Sequence, residues 1–334
     1  MSTDERTPLS VLTGFLGSGK TTLLSRLLQA PSLPPMAVII NEFGEVSIDH
    51  ELVEAGSEDV IELPGGCLCC TRRGELASTL AGLRARRARG ELPPFARVLI
   101  ETTGLAEPAP ILRTLLDDAA LAADFALDGV ITTVDARHGL ATLAAQPESR
   151  AQVALADRLV LTKTDVAEPD AVALLRRQIA EIHPGLEPLV AVHGDIAPQA
   201  LFGVAIRDAT ARSEQIEPWL GLRGFRLGAP DANRHGADIR ARALQRETPL
   251  DIDAFRCFFA MLSDFGSADL LRVKGIVHLA GRDLPFLVHG VQGAFEPLQP
   301  LQHWSAQDRR TRLVFITRGR LAEEWLDALL TALE

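Results

Sequence analysis

Up to about residue 202 the chain repeats one pattern: a short, near-continuously apolar run, a few small or polar residues, then a stretch with apolar positions every three to four residues. Apolar runs at 36–40, 97–100, 129–134, 158–161 and 188–192, preceded by Leu9, Val11 and Leu12, predict strands covered on both faces, since a strand with one wet face would alternate. The helical spacing predicts helices at 22–28, 75–87, 108–121 and 169–182. Strands and helices in alternation predict an α/β fold with a doubly wound, mainly parallel sheet. Ligands of such sheets gather at the carboxyl ends of the strands, so chemistry is sought directly after each apolar run.

Residues 208–236 break the alternation with Gly221, Gly224, Gly228, Pro230 and Asn233, and read as a flexible linker. Beyond it, strand-like segments at 239–244, 271–279, 286–291 and 312–317, with helices at 252–262 and 321–333, predict a smaller C-terminal α+β domain with a mainly antiparallel sheet. The expected division is 1–207, 208–236 and 237–334. Bulk properties fit it: 334 residues, 47% hydrophobic, suffice for two separate cores. A net charge of −10 argues against nucleic acid as a partner, which needs a basic surface. No apolar run approaches the length of a membrane span and the N-terminus lacks the layout of a secretory signal, so the expected location is cytoplasmic with no membrane partner. Oligomeric state stays open.

Residues 14–21, Gly-Phe-Leu-Gly-Ser-Gly-Lys-Thr, form a complete phosphate loop between an apolar strand and a helix. Gly14, Gly17, Ser18 and Gly19 let successive backbone N–H groups turn onto phosphate oxygens, Lys20 adds a cation near the outer phosphates, and Thr21, followed by Thr22, offers a hydroxyl to Mg²⁺. A second element, Glu101-Thr102-Thr103-Gly104, follows the strand at 97–100. The carboxylate there reaches Mg²⁺ or its water shell, and Gly104 lets a backbone N–H meet the γ-phosphate, which makes Lys20, Thr21, Glu101 and Gly104 the catalytic candidates. Most such switches carry aspartate, so Glu101 is a departure.

A third element, Thr162-Lys163-Thr164-Asp165, also ends a strand. It resembles the guanine-reading N-K-x-D sequence with threonine in place of asparagine. The Asp165 carboxylate accepts from both N1–H and the 2-amino group of guanine, whereas adenine would oppose it with a second acceptor, and the Lys163 stem lies along the base plane; GTP is favoured over ATP. The fourth element is Gly65-Gly66-Cys67-Leu68-Cys69-Cys70, followed by Arg72 and Arg73 at an expected helix start. A helix N-terminus and two arginines favour thiolates, and three sulfurs on a bent backbone fill three corners of a tetrahedron, leaving one position for an exchanging ligand. Such a set suits transfer of a divalent transition metal, zinc or cobalt(II), better than structural locking. A structural zinc site, a thiol redox site and incidental cysteines are the competing readings. Cys257, among Phe255, Phe258 and Phe259, reads as core.

Together with Asn41-Glu42-Phe43-Gly44-Glu45-Val46-Ser47-Ile48-Asp49 and the extension Leu105-Ala106-Glu107-Pro108, these elements resemble, in order, the CobW-type GTPases, a branch of the phosphate-loop (P-loop NTPase) GTPases that includes metallochaperones and metal-insertion proteins. The C-terminal runs 270–276, 288–291 and 312–316 resemble that family's second domain. The resemblance implies that 41–49, with Asp49, form a first nucleotide switch and 101–107 a second, with the cysteines between them and Glu45 an additional candidate metal ligand. The implied function is GTP hydrolysis to GDP and phosphate that governs capture of a metal at Cys67, Cys69 and Cys70 and its delivery to a client metalloprotein. A regulatory GTPase with structural zinc and a phosphate-loop kinase acting on a small molecule are the alternatives. Two departures shape the expectation. The interdomain region holds only His235 in place of a histidine-rich stretch, which speaks against bulk metal storage; and no residue is evident to orient the attacking water, which implies slow intrinsic hydrolysis.

Overall fold

The computed structural model of the chain describes residues 6–41, 60–65, 73–206, 216, 219–220, 239–265, 269–304 and 308–333. It divides into two compact units, one built from residues 5–179 and 186–205 and the other mainly from 206–334.

The N-terminal unit is a seven-stranded sheet in the order β3-β2-β4-β1-β5-β6-β7. The strands are β1 (Thr7–Gly14), β2 (Met36–Asn41), β3 (Val60–Gly65), β4 (Arg97–Glu101), β5 (Phe125–Asp135), β6 (Arg158–Thr162) and β7 (Leu189–Ala191). Every pairing is parallel, as continuous apolar runs require. Between the strands run α1 (Lys20–Leu28), α2 (Arg73–Ala88), α3 (Ala109–Asp117), α4 (Ala119–Asp124), α5 (Gly139–Ala145), α6 (Pro147–Ala154) and α7 (Pro169–Ile182). Leu23, Leu24 and Leu27 of α1 sit one turn apart and pack on Leu12, Val38, Leu99, Ile131 and Val160, so the helix after the phosphate loop is nailed to the sheet by its apolar stripe.

Three local features depart from the pattern reading. The expected helix 108–121 is two helices: Asp118 adopts an extended conformation and its carboxylate accepts from the N–H groups of Ala120 and Leu121, starting α4 afresh. β5 begins four residues earlier than expected, and α5 and α6 fill the stretch before β6. β3 joins the sheet as an edge strand beside β2, although its segment, Val60-Ile61-Glu62-Leu63-Pro64-Gly65, is interrupted by a carboxylate and a proline. An edge strand tolerates both, having one unpaired side.

Asp128 of β5 ties the unit's tail to its core. Its side chain is 2% exposed and accepts hydrogen bonds from Arg97, Ser10 and the N–H groups of Gly203 and Val204.

The C-terminal unit is an antiparallel sheet in the order β11-β10-β9-β13-β8, formed by β8 (Ile239–Arg246), β9 (Leu270–Val277), β10 (Phe286–Val291), β11 (Ala294–Phe295) and β13 (Thr311–Arg318), with β12 (Gln299–Pro300) on β10. Helices α8 (Ile252–Phe265) and α9 (Arg320–Leu333) bury Phe255, Phe258, Leu262, Leu326 and Leu330 against Val273, Val288, Leu313 and Phe315. The helical period that sends Phe255, Phe258 and Leu262 inward turns Cys257 outward; it is exposed, not the core residue its aromatic neighbours suggested. Ile216, Trp219 and Leu220 lie within the stretch read as linker, yet are buried against Ile276, Leu287 and Leu301. On the same sheet face Trp219 covers Lys274 and meets the buried His289 edge-on. Burial holds the His289 imidazole below its usual pKa although Glu296 opposes the shift. Among the described residues no helix is long and apolar enough to cross a membrane.

Removing the Asp128 carboxylate takes away a buried acceptor shared by Arg97, Ser10 and two backbone donors. Asp128→Ala is expected to lower the unfolding free energy of the N-terminal unit by about 3 kcal/mol, read from urea denaturation.

Candidate functional site

The parallel register lines up the carboxyl ends of the strands. Gly65 of β3 pairs with Asn41 of β2, Ile40 with Glu101 of β4, and Glu101 with Leu12 of β1. On the other side Gly14 pairs with Thr133 of β5, Asp135 with Thr162 of β6, and Thr162 with Ala191 of β7. One rim therefore carries the phosphate loop, Glu101, the segment expected to read the base and the ends of the two strands that bracket the expected first switch.

The phosphate loop leaves β1 at Gly14, whose φ of 143° and contact with Thr133 leave no room for a side chain. Ser18 N–H closes the turn on the Phe15 carbonyl at 3.1 Å, and the Ser18 and Thr133 hydroxyls bond at 2.7 Å. The Lys20 ammonium, 8% exposed, donates to the carbonyls of Gly14 (2.8 Å) and Phe15 (3.2 Å), so the cation lies within the mouth of its own loop. The Thr21 hydroxyl donates to Glu101 Oε1 at 3.3 Å, and Glu101 is 5% exposed. A hydroxyl and a buried carboxylate converging at a phosphate loop form a hard oxygen donor set, which fits Mg²⁺. Glu101, despite its extra methylene, thus reaches the position an aspartate would be expected to fill. The turn beyond it is pressed onto the loop: a Cβ at Gly104 would stand 2.6 Å from the Leu16 nitrogen.

On the base side Thr162 is oriented inward, its hydroxyl donating to the Ser18 carbonyl at 2.8 Å, so the threonine that replaces asparagine braces the phosphate loop. Lys163 adopts a φ of 56° and its ammonium donates to the Gly17 carbonyl (2.7 Å) and to Asp135 Oδ2 (2.8 Å). Asp165 follows with its carboxylate partly exposed, 3.6 Å from His193 Nε2, while the His193 carbonyl accepts from Arg26 of α1. Sequence reading missed two residues here. Asp135, the last residue of the long apolar strand β5, also accepts from the N–H groups of Arg137 and His138 and contacts the His138 ring. Burial works to raise its pKa, but the hydrogen bonds from Lys163 and His138 outweigh it and hold the carboxyl below the usual range. Its place at a strand's carboxyl end was the available signal. His193 carried the same signal after β7.

Of the remaining sequence candidates, Glu45, Asp49, Cys67, Cys69 and Cys70 lie outside the described residues. Among the described residues no group of three His, Cys, Asp or Glu side chains is arranged to hold a metal.

Residues 8–189 match the family described as CobW/HypB/UreG, nucleotide-binding domain, and residues 239–334 match the cobalamin synthesis protein cobW C-terminal domain. The chain is 33% identical over 311 residues to the Escherichia coli zinc chaperone YjiA, covering 92% of this chain and 93% of that protein. It is 31% identical over 357 residues to the Pseudomonas aeruginosa zinc chaperone CobW, covering 95% and 88%. The crystal structure of Zn(II)-bound YjiA GTPase from E. coli superposes with a TM-score of 0.70 at 30% identity, over 98% of this chain and 99% of that one.

Asp135 holds the lysine that spans the phosphate loop and the base-reading turn. Asp135→Ala is expected to weaken GDP binding about tenfold, measured by titration with a fluorescent GDP analogue. Because the folded-state pKa of Asp135 is depressed, its contribution is present above the unfolded carboxyl value and is lost only as the pH falls through the folded one. The deficit is therefore expected to be constant between about pH 6 and 8.

Proposed function

The chain belongs to the CobW family of phosphate-loop GTPases, and on that premise we propose that its GTP-bound form captures a divalent transition metal on Cys67, Cys69 and Cys70 and yields it to a client metalloprotein after hydrolysis. Zinc is the favoured cargo, because full-length relatives are named zinc chaperones and a thiolate-rich tetrahedral set suits it; cobalt(II) accepts the same geometry.

The observation that carries this reading is the strand register. Asn41 and Gly65 are paired, and Ile40 is paired with Glu101, so the segment that contains the cysteines leaves the sheet two strands away from the residue facing Thr21. At the usual strand spacing that is about 10 Å. The expected first switch, 41–49, runs out from the strand between them. A ligand that engages Glu101 and Gly104 therefore lies two strands from the point where the chain leaves β3 for the cysteines. If nucleotide exchange is to change metal affinity a hundredfold, the coupling required is about 2.7 kcal/mol, an ordinary value for linked sites.

In this reading the backbone N–H groups of residues 14–21 cradle the phosphates and Lys20 leaves its carbonyl partners for the β- and γ-phosphates. Thr21 and Glu101 would hold Mg²⁺, which would supply charge neutralisation for phosphoryl transfer to water. Gly104 presents its N–H to the γ-phosphate, and hydrolysis removes that contact and with it the tie through which the nucleotide holds the metal. Asp165 reads guanine, with Lys163 along the base plane. The proposed client is unnamed by any residue of this chain. Hydrolysis is expected to be slow in isolation.

Two measurements test the reading. Replacing Cys67, Cys69 and Cys70 together by serine is expected to abolish tight zinc binding while GTP affinity stays within about threefold; a zinc titration with GTPγS, with GDP and without nucleotide should show tight binding in the first alone. Zinc affinity independent of nucleotide would instead identify a structural metal. Asp165→Asn exchanges an acceptor for a donor, so it is expected to lower GTP affinity about a hundredfold and to raise affinity for xanthosine triphosphate, whose 2-oxo group accepts where guanine donates.

A further inference from the structure

Gln152 of α6 is 1% exposed, and its amide nitrogen donates to two carbonyls of one turn, Gly104 at 3.1 Å and Ala106 at 3.0 Å. That turn is closed by the Ala106 N–H on the Thr103 carbonyl at 3.1 Å. The backbone carrying Gln152 is itself anchored, because the Thr132 hydroxyl of β5 donates to the Gln152 carbonyl at 2.9 Å. On its opposite side the turn abuts the phosphate loop, where Gly104 meets Leu16 without space for a Cβ. The segment after Glu101 is thus held between two fixed surfaces, the phosphate loop and a glutamine bolted to the sheet.

The amide has one tolerable orientation. Exchanging its oxygen and nitrogen would set Oε1 against two carbonyl oxygens. In the orientation present, Oε1 is buried and has no hydrogen-bond partner among the described residues. Leucine or methionine would fill the same volume without leaving a buried acceptor unpaired. What the amide adds is two hydrogen bonds that fix the carbonyls of Gly104 and Ala106 and so hold Ala106 where its N–H bonds the Thr103 carbonyl, the group that shares a peptide plane with the Gly104 N–H.

We propose that Gln152 is a positioning residue of the nucleotide switch: it pre-sets the turn at 103–106 so that the Gly104 N–H is aimed at the γ-phosphate, and so contributes to the preference for GTP over GDP. The role rests on the reading of Gly104 as the γ-phosphate contact. GDP, which has no γ-phosphate, gains nothing from the aimed N–H.

The test uses the full chain with Mg²⁺. In Gln152→Met, which keeps the volume and removes both donors, GTPγS affinity is expected to fall about tenfold and kcat for GTP to fall by a similar factor, while GDP affinity stays within about twofold. Gln152→Glu, which keeps the shape and loses the donor pair at neutral pH, gives the same readout should the methionine variant fail to bind GDP. An unchanged ratio of GTPγS to GDP affinity overturns the proposal, and so does an equal loss for both nucleotides, the result of a purely structural role. Failure of the unaltered chain to bind GTPγS would overturn the nucleotide reading itself, an outcome separate from a wild-type chain that binds GTPγS and a variant that keeps its ratio.

Discussion

The parallel hydrogen-bond register of the N-terminal sheet is the constraint on which the rest of this protein depends. Parallel strands carry their side-chain chemistry at one edge, because every strand ends in the same direction. Here the register brings Gly65, Asn41, Glu101, Gly14, Asp135 and Thr162 onto that edge within a few residues of one another in projection. A slip of one residue would exchange the two faces of a strand. β1 and β5 are buried along nearly their whole length, so such an exchange would set side chains of the wrong shape into both packed faces.

Polar contacts then turn an edge into a site. Lys163 bridges the Gly17 carbonyl and Asp135, Thr162 reaches the Ser18 carbonyl, and Gln152 holds the turn at 103–106. Each of these side chains belongs to a different segment from the backbone it supports. The phosphate loop is consequently braced from the segment after β6, while the turn at 103–106 is braced from α6. The buried contacts among them, those of Thr162 and Gln152, are strong because water does not compete for them, and all of them pre-organise the loops that a nucleotide would engage.

The order of the chain gives this arrangement its proposed use. The cysteine segment lies between β3 and α2, and β3 is the edge strand beside β2, so its attachment to the sheet is one-sided. Glu101, by contrast, ends β4, which is paired on both sides. Glu101 is therefore held by two neighbouring strands, whereas the strand that leads into the cysteines is held by one.

Local composition made much of this legible. The glycines and lysine of 14–21, the carboxylates at 101 and 165 and the thiols at 67, 69 and 70 stand out as candidates because they gather chemically distinctive residue types at short spacing, and the apolar runs announce a parallel sheet because burial on both faces leaves few polar positions. The break at Asp118 was written in a helix-capping side chain, yet the surrounding apolar period masked it. Cys257 was misjudged because adjacency in sequence is not adjacency on a helix. Asp135 and Gln152 were not legible: an aspartate closing an apolar strand and a glutamine in a short helix have many possible partners, and their actual ones, Lys163 and the carbonyls of Gly104 and Ala106, lie tens of residues away. The sequence by itself determined the chemistry on offer, the fold class and the family. Tertiary structure alone decided which groups share the rim and which side chains aim the loops, because those contacts exist only once parallel register has set distant strand ends side by side.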